Sequence, residues 1–271
     1  MTPAQCNLRE VSFSRLFPLE VTRALSGGLA LASAYMHPRG YVHGDIHLRN
    51  VLVKLPNFDH PSVEQLYKEY GEPETVSVTE RDGKPLQPNV PAKAAFLPDL
   101  ETRRGEDCHT PLAIRAPEAR FEPQAPLSYS ADIWSLATTI WEILGMKAIF
   151  STDFASADEL VSQHIDVLGP MPPNWWMHWR ERGHFFDDDG RPKEGRYVWP
   201  GIEEAFEEGV QKYRRKRGCE FDREEAAAII DLMRRMFAFR PEERPTVPDV
   251  LQSDWMVKWA LPELERSSQM E

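Results

Sequence analysis

The spacing of apolar residues predicts a chain built mainly from helices. Between Pro18 and His37 apolar residues recur at mostly helical intervals, and Pro38-Arg39-Gly40 follows as a stop signal. Ser130 to Leu144 is apolar around nearly its whole circumference, which indicates a helix buried in the middle of a helical domain. Further amphipathic helices are predicted over Ala157 to Leu168, Arg223 to Phe239 and Val247 to Trp259. The predicted fold class is therefore mainly α, a helical bundle around a buried central helix.

Two tracts interrupt this pattern and are predicted to be insertions. Residues 56–98 contain seven prolines and one helix-like piece, and residues 170–218 are rich in Trp, Pro, Gly and mixed charge. The domain is predicted to span residues 18–259, with an N-terminal extension over 1–17 and a C-terminal tail over 260–271. Trp175, Trp176 and Trp179 in the second tract are interpreted as packing residues, with an interaction surface as the alternative.

Composition narrows the class of protein and its partners. The 271 residues include 41% hydrophobic ones, enough for a folded core, and 32 basic against 43 acidic residues give a net charge of −11. This charge argues against nucleic acid or a membrane surface as partner, and it favours basic or Arg-rich protein segments. Three distant cysteines, with neither a signal peptide nor a membrane-spanning run, predict an intracellular protein, cytoplasmic or nuclear.

The octet from His43 to Asn50, HGDIHLRN, is the strongest candidate for chemistry. It lies between a predicted helix and the apolar strand Val51 to Val53, so both of its ends are expected to be fixed. A carboxylate and a carboxamide five residues apart suit phosphoryl transfer, because one group orients a hydroxyl and accepts its proton while the other holds Mg²⁺. Taken alone, the same residues also fit a polar turn with a satisfied histidine.

Three later motifs decide between these interpretations. Ala116-Pro117-Glu118, then Ser130 to Ser135 (SADIWS), then Arg240 to Pro245 (RPEERP) follow the octet in order. Together they resemble the C-terminal lobe of eukaryotic serine/threonine protein kinases, over roughly Pro18 to Trp259 without the two insertions. The octet and the segment GEDCHTP before Ala116-Pro117-Glu118 look like divergent fungal relatives of SR-protein kinases.

The resemblance implies roles for individual residues. Asp45 would be the catalytic base and Asn50 a metal ligand, on a loop that starts at His43 and has a short β-hairpin beside it. Asp132 would accept backbone N–H groups of that loop, Glu118 would form a buried ion pair with Arg244, and Thr110 would lie near the peptide hydroxyl and help to orient Asp45. The implied cofactors are ATP and Mg²⁺, and the implied substrate is a protein hydroxyl.

Two departures from the family pattern change these expectations. Gly44 stands where the family carries an arginine that pairs with a phosphorylated activation loop. His47 stands where the family carries a lysine that stabilises the transferring phosphoryl group, and a histidine is only partly charged near neutral pH. The motif HGDxHxxN also resembles aminoglycoside- and choline-type phosphotransferases, which remain the alternative enzyme class.

The second metal ligand and the ATP clamp are the weakest parts of the resemblance. Asp99, in Asp99-Leu100-Glu101, is the candidate for the second metal aspartate, and the alternative is an ordinary loop. An N-terminal lobe needs about 60 to 80 residues, whereas 17 precede the first predicted helix. The sequence therefore predicts a truncated kinase relative that is inactive by itself. The alternatives are a pseudokinase that binds proteins without turnover, or a lobe that a second chain completes.

Overall fold

The computed structural model describes residues 4–11, 16–54, 110–126, 128–150 and 155–269, with the short pieces 64, 68, 75–77 and 93–95. The chain divides into two compact units. One comprises Met1–Gln5 with Lys54–Thr102, and the other comprises Cys6–Val53 with Arg103–Glu271. The second unit contains the octet and the three motifs that follow it. Asp99 lies outside the described residues.

Helices dominate the described residues, which confirms the mainly helical class. The α-helices are α1 Leu8–Val11, α2 Leu19–Met36, α3 Glu118–Phe121, α4 Tyr129–Gly145, α5 Ala157–Leu168, α6 Pro173–His178, α7 Ile202–Phe206, α8 Lys212–Arg215, α9 Arg223–Met236, α10 Val247–Leu251 and α11 Leu261–Ser268. Short 3₁₀ helices cover His37–Arg39, Leu48–Asn50, Arg180–His184 and Pro241–Glu243, and π-helices cover Glu207–Gln211 and Met256–Ala260. None of the described helices is long and apolar enough to cross a membrane.

The strands form two small sheets. The strand after the octet, β2 (Leu52–Lys54), pairs with β1 (Ala4–Asn7), and the Leu8 N–H donates to the Val51 carbonyl at 2.7 Å. The short sheet expected at the catalytic loop is present, and the partner of β2 in it is β1, since residues 41–50 form no strand. In the other unit, β3 (Thr75–Ser77) pairs antiparallel with β4 (Lys93–Ala95).

The core of the helical unit is centred on α4. Its residues Trp134, Leu136, Ala137 and Ile140 are completely buried, because neighbouring helices cover the whole circumference that the sequence leaves apolar. The helices α2 and α9 both pack on α4. At its C-terminal end Gly145 lies so close to the π-helix Glu207–Gln211 that an added Cβ would come within 2.7 Å of the Gly209 carbonyl.

A second, smaller core lies in the tract predicted as an insertion. Trp175 and Trp179 are buried there beside Val161, Met171, Phe186 and Phe239. Each indole N–H is satisfied by a carboxylate, since Trp175 donates to Glu122 at 2.9 Å and Trp179 donates to Asp158 at 2.6 Å. These two tryptophans act as packing residues, and the tract is ordered as a series of short helices.

Candidate active site

One buried carboxylate on the central helix α4 holds the start of the octet in place. Asp132, 1% exposed, accepts the backbone N–H groups of His43 and Gly44, each at 2.8 Å. His37 Nε2 lies 3.0 Å from the same carboxylate, and its ring packs against Tyr129. A carboxylate acceptor makes short and strong hydrogen bonds, so the loop is fixed to the buried central helix α4.

The loop adopts its shape through local features of its own sequence. Gly44 has φ = 71°, in the left-handed region that glycine enters most easily. The Leu48 side chain is only 1% exposed and anchors the 3₁₀ turn Leu48–Asn50. The next two residues, Arg49 and Asn50, are exposed. A side chain of the central helix adds a further bond, since Thr139 Oγ1 on α4 donates to the Ile46 carbonyl at 3.1 Å.

Three side chains of the octet converge on one small volume. Asn50 Nδ2 donates to both the backbone carbonyl and Oδ2 of Asp45, each at 2.9 Å. His47 Nε2 lies 3.2 Å from Asp45 Oδ1, and this buried oxygen accepts no hydrogen bond. The Asp45 side chain is 30% exposed, so Oδ2 is the carboxylate oxygen available to a substrate.

These contacts decide the charge of Asp45. Burial alone raises the pKa of the Asp45 carboxyl, but its interaction with His47 and the hydrogen bond from Asn50 lower it. The resulting pKa lies below the ordinary value for aspartic acid. Asp45 is therefore a carboxylate at neutral pH and can accept a proton.

The remaining predicted residues lie around this cluster or on the core behind it. Thr110 Oγ1 donates to the Gly44 carbonyl at 2.5 Å, directly before Asp45 in the chain. Glu118 and Arg244 form a bidentate pair at 2.8 and 2.7 Å, buried away from Asp45 and Asn50. His43 Nδ1 accepts the Asp45 N–H at 3.2 Å. No position is described for Asp99.

Sequence reasoning missed two residues that hold the loop, His37 and Thr139. The only sequence signal for His37 was its place at the end of a helix, directly before Pro38-Arg39-Gly40. Thr139 was hidden within an apolar run, where a threonine normally bonds to its own helix. Its hydroxyl is shared between the Ser135 carbonyl and the loop.

The donor atoms at the loop fit a hard divalent cation that is bound partly by a nucleotide. Asn50 uses its amide nitrogen on Asp45, which leaves its Oδ1 as a ligand beside Asp45 Oδ2. Among the described residues no group of three or more His, Cys, Asp or Glu side chains is arranged to hold a metal. Mg²⁺ commonly takes one or two protein oxygens and completes its shell with phosphates and water, which matches this set.

Comparison with known proteins finds similarity to several protein kinases. The chain is 25% identical to a serine/threonine protein kinase of Aspergillus fumigatus over 60% of its length, and 27% identical to the serine/threonine-protein kinase SKY1 of Saccharomyces cerevisiae over 52%. It is also 24% identical to the dual specificity protein kinase lkh1 of Schizosaccharomyces pombe over 87% of its length. The chain is similar to these protein kinases at about 25% identity, which is consistent with a divergent kinase-like C-terminal region. No protein-family model matches it.

The similarity covers only part of each relative. The matched segments span 40% of the Aspergillus kinase, 18% of SKY1 and 32% of lkh1. The whole-protein activity of these kinases therefore applies to this kinase-like chain only as a proposal.

Proposed function

We propose that this chain carries the catalytic-loop half of a serine/threonine protein kinase site, which transfers the γ-phosphoryl group of Mg-ATP to a protein hydroxyl. The observation that supports this is the ionised, partly exposed Asp45, hydrogen bonded to Asn50 on a loop that Asp132 fixes. The similarity to several protein kinases supports the reaction class.

In this proposal each residue of the cluster has one task. Asp45 Oδ2 accepts the hydrogen bond of the substrate hydroxyl, orients its oxygen and takes its proton. Asn50 holds Asp45 with its nitrogen and would offer Oδ1 to Mg²⁺, which would supply positive charge to offset the charge on the phosphoryl oxygens. His47 Nδ1 accepts the Arg49 N–H at 3.2 Å, and this bond holds the ring with its Nε2 3.2 Å from Asp45 Oδ1.

We further propose that residues 1–271 do not complete the reaction alone. Protein kinases hold ATP between two lobes, and the resemblance of this chain covers the C-terminal one. We propose that groups outside residues 1–271, on a second polypeptide or on a further segment of the same one, contribute the ATP clamp. The substrate is a basic or Arg-rich protein segment, because the net charge of −11 attracts such a segment.

The first test measures metal-nucleotide contact at the loop. We expect millimolar Mn-ATP to broaden the backbone amide NMR signals of residues 43–50 in the 1–271 protein, because weak occupancy is enough for paramagnetic relaxation. Asn50→Ala should abolish the broadening, whereas Asn174→Ala, at an asparagine outside the loop, should leave it unchanged. Broadening centred elsewhere, or equal broadening in Asn50→Ala, would contradict the assigned site.

The second test concerns turnover. The 1–271 protein should show no thermal shift with Mg-ATP and no phosphate transfer to an Arg-rich peptide. A clear shift that Asn50→Ala removes would disprove the need for groups outside residues 1–271 while supporting the site. In any preparation that does transfer phosphate, Asp45→Asn should lower the rate of transfer about 10²- to 10⁴-fold, the usual contribution of a positioned base. Equal rates would exclude Asp45 as the base.

A further inference from the structure

The turn that carries Asn50 is held in place by a segment outside the octet. The described hydrogen bonds of Asn50 all go to other residues of the octet. The central helix α4 bonds to the start of the octet through Asp132 and to its middle through Thr139. The position of Asn50 relative to the core therefore depends on what holds Leu48, where the turn begins, and Val51, which follows the turn.

Leu8, the first residue of α1, reaches both of these points. Its side chain is 4% exposed and lies in one buried cluster with Leu48 of the turn and Ile143 of α4, which are 1% and 0% exposed. Its backbone N–H donates to the Val51 carbonyl at 2.7 Å. These two attachments lie on either side of Asn50, so the turn cannot pivot about a single contact.

An ion pair between Arg9 and Glu142 holds Leu8 against the core. Arg9 follows Leu8 on α1, and Glu142 lies on α4 directly before Ile143. The Glu142 side chain is 13% exposed, so salt screens this pair less than it screens a fully exposed pair. A helix of four residues is not stable by itself, and α1 therefore depends on these tertiary contacts for its position.

We propose that Leu8 is a positioning residue of the candidate active site, which sets the place of Asn50 and is itself held by the pair between Arg9 and Glu142. The inference rests on the proposed function, because the reaction that it affects uses Asn50 as a metal ligand. Leu8 is buried and acts through the turn, not on the substrate. A change at Leu8 should therefore loosen the end of the octet, while its start, which Asp132 holds, keeps its order.

Amide hydrogen exchange followed by NMR tests this selectivity in the 1–271 protein. The measured ratio is the exchange rate of the Asn50 and Val51 amides divided by that of the amides of residues 43–44. We expect Leu8→Ala to raise this ratio about tenfold or more, because truncation of a buried leucine removes packing and opens the structure locally. Leu8→Met conserves the side-chain volume and should keep the ratio close to that of wild type.

Leu160→Ala is the matched control, since Leu160 on α5 is also 4% exposed and loses the same atoms. It should change both exchange rates by the same factor and leave the ratio unchanged. Arg9→Gln should raise the ratio about two- to fivefold, as a partly exposed ion pair allows.

The proposal is overturned if Leu8→Ala keeps the wild-type ratio, or if Leu8→Met or Leu160→Ala raises the ratio as much as Leu8→Ala does. If Leu8→Ala does not fold, Arg9→Gln decides, and a wild-type ratio in that variant overturns the proposal.

Mn-ATP broadening separates this inference from the proposed function. Leu8→Ala should weaken the broadening of the octet signals, and Leu160→Ala should not. Equal broadening in Leu8→Ala and wild type would overturn the link between Leu8 and Asn50. A raised exchange ratio in Leu8→Ala, together with no broadening in wild type, contradicts the proposed metal site but not the role of Leu8 in holding the turn.

Discussion

Arg244 uses all five of its side-chain N–H donors. Two go to Glu118, and the others reach the carbonyls of Ala238, Ser130 and Phe239 at 2.8 to 2.9 Å. Its guanidinium also lies over the Trp134 ring, 5.1 Å from the centroid. A buried charge is tolerated when every donor is satisfied, and removal of its partner leaves it uncompensated.

Glu118→Gln should therefore destabilise the protein strongly. Loss of one member of a buried ion pair typically lowers the free energy of unfolding by about 3 to 5 kcal/mol. Urea denaturation followed by circular dichroism measures this change. The control is Glu203→Gln, which removes the carboxylate that pairs with Arg234 on the exposed surface and should have little effect. Equal stability of the two variants would show that the buried pair contributes no more than the exposed one.

At the residue scale the sequence could indicate which side chains matter more readily than how they are arranged. The spacing of Asp45 and Asn50 predicted convergence, since both lie on one loop between fixed ends. The unbonded, buried Oδ1 of Asp45 depends on the ring orientation of His47, which no sequence pattern encodes. The bond from His37 to Asp132 joins residues 95 apart and needed the tertiary structure.

At the element scale, the end of α4 is fitted to a π-helix. Gly145 has no side chain, and this allows the π-helix Glu207–Gln211 to approach until Gly209 O and Val210 fill the space of a Cβ. π-Helices are rare because their hydrogen-bond geometry is less favourable than that of an α-helix, so tertiary contacts such as this one must help to hold them.

Gly145→Ala should disrupt this contact. The added Cβ would lie 2.7 Å from the Gly209 carbonyl oxygen and 2.9 Å from Val210 Cγ2, so backbone must move. We expect a loss of about 1 to 3 kcal/mol in the free energy of unfolding, the usual range for overpacking. Thermal and urea denaturation test it beside Gly183→Ala, whose Cβ would meet nothing within 4 Å. If Gly145→Ala is as stable as the control, α4 and the π-helix Glu207–Gln211 can move apart without a loss of stability, and this account is wrong.

The α-helices were largely predictable from periodicity. Ala157–Leu168 was expected with its observed bounds, and its capping box between Ser156 and Glu159 explains why the helix begins there. The strand partner of Leu52–Lys54 was not predictable, because β1 is only four residues long and lies far from Leu52–Lys54 in the chain. The segment expected as a tail contains α11, which packs on α2.

At the scale of the whole molecule, one buried histidine makes stability depend on pH. His164 is enclosed by Trp134 and Phe150, and neither of its ring nitrogens has a hydrogen-bond partner. Burial, aided by the nearby positive charge of Arg244, lowers the pKa of His164 to about 3. The folded protein therefore keeps this ring neutral, whereas the unfolded chain protonates it near pH 6.5.

The free energy of unfolding should fall as the pH drops from about 6.5 toward 3. His164 contributes a slope of up to about 1.4 kcal/mol per pH unit in this window, since only the unfolded state takes up its proton. Urea denaturation between pH 6.5 and 5 keeps the measurement above the range in which Asp45 titrates. His164→Phe should flatten the profile relative to wild type, and the exposed-site control His178→Phe should not. Parallel profiles for all three proteins would refute this account.

Arg214 has a consequence for synthesis as well as for stability. Completely buried, it donates to the Leu144 carbonyl, to the Phe17 carbonyl and to Thr22 Oγ1, which lies 192 residues earlier in the chain. At synthesis rates of about 5 to 20 residues per second, Thr22 waits roughly 10 to 40 s for this partner. During that interval α2 lacks one of the contacts that hold it in the core, and the ribosome must release most of the chain before the helical unit can close.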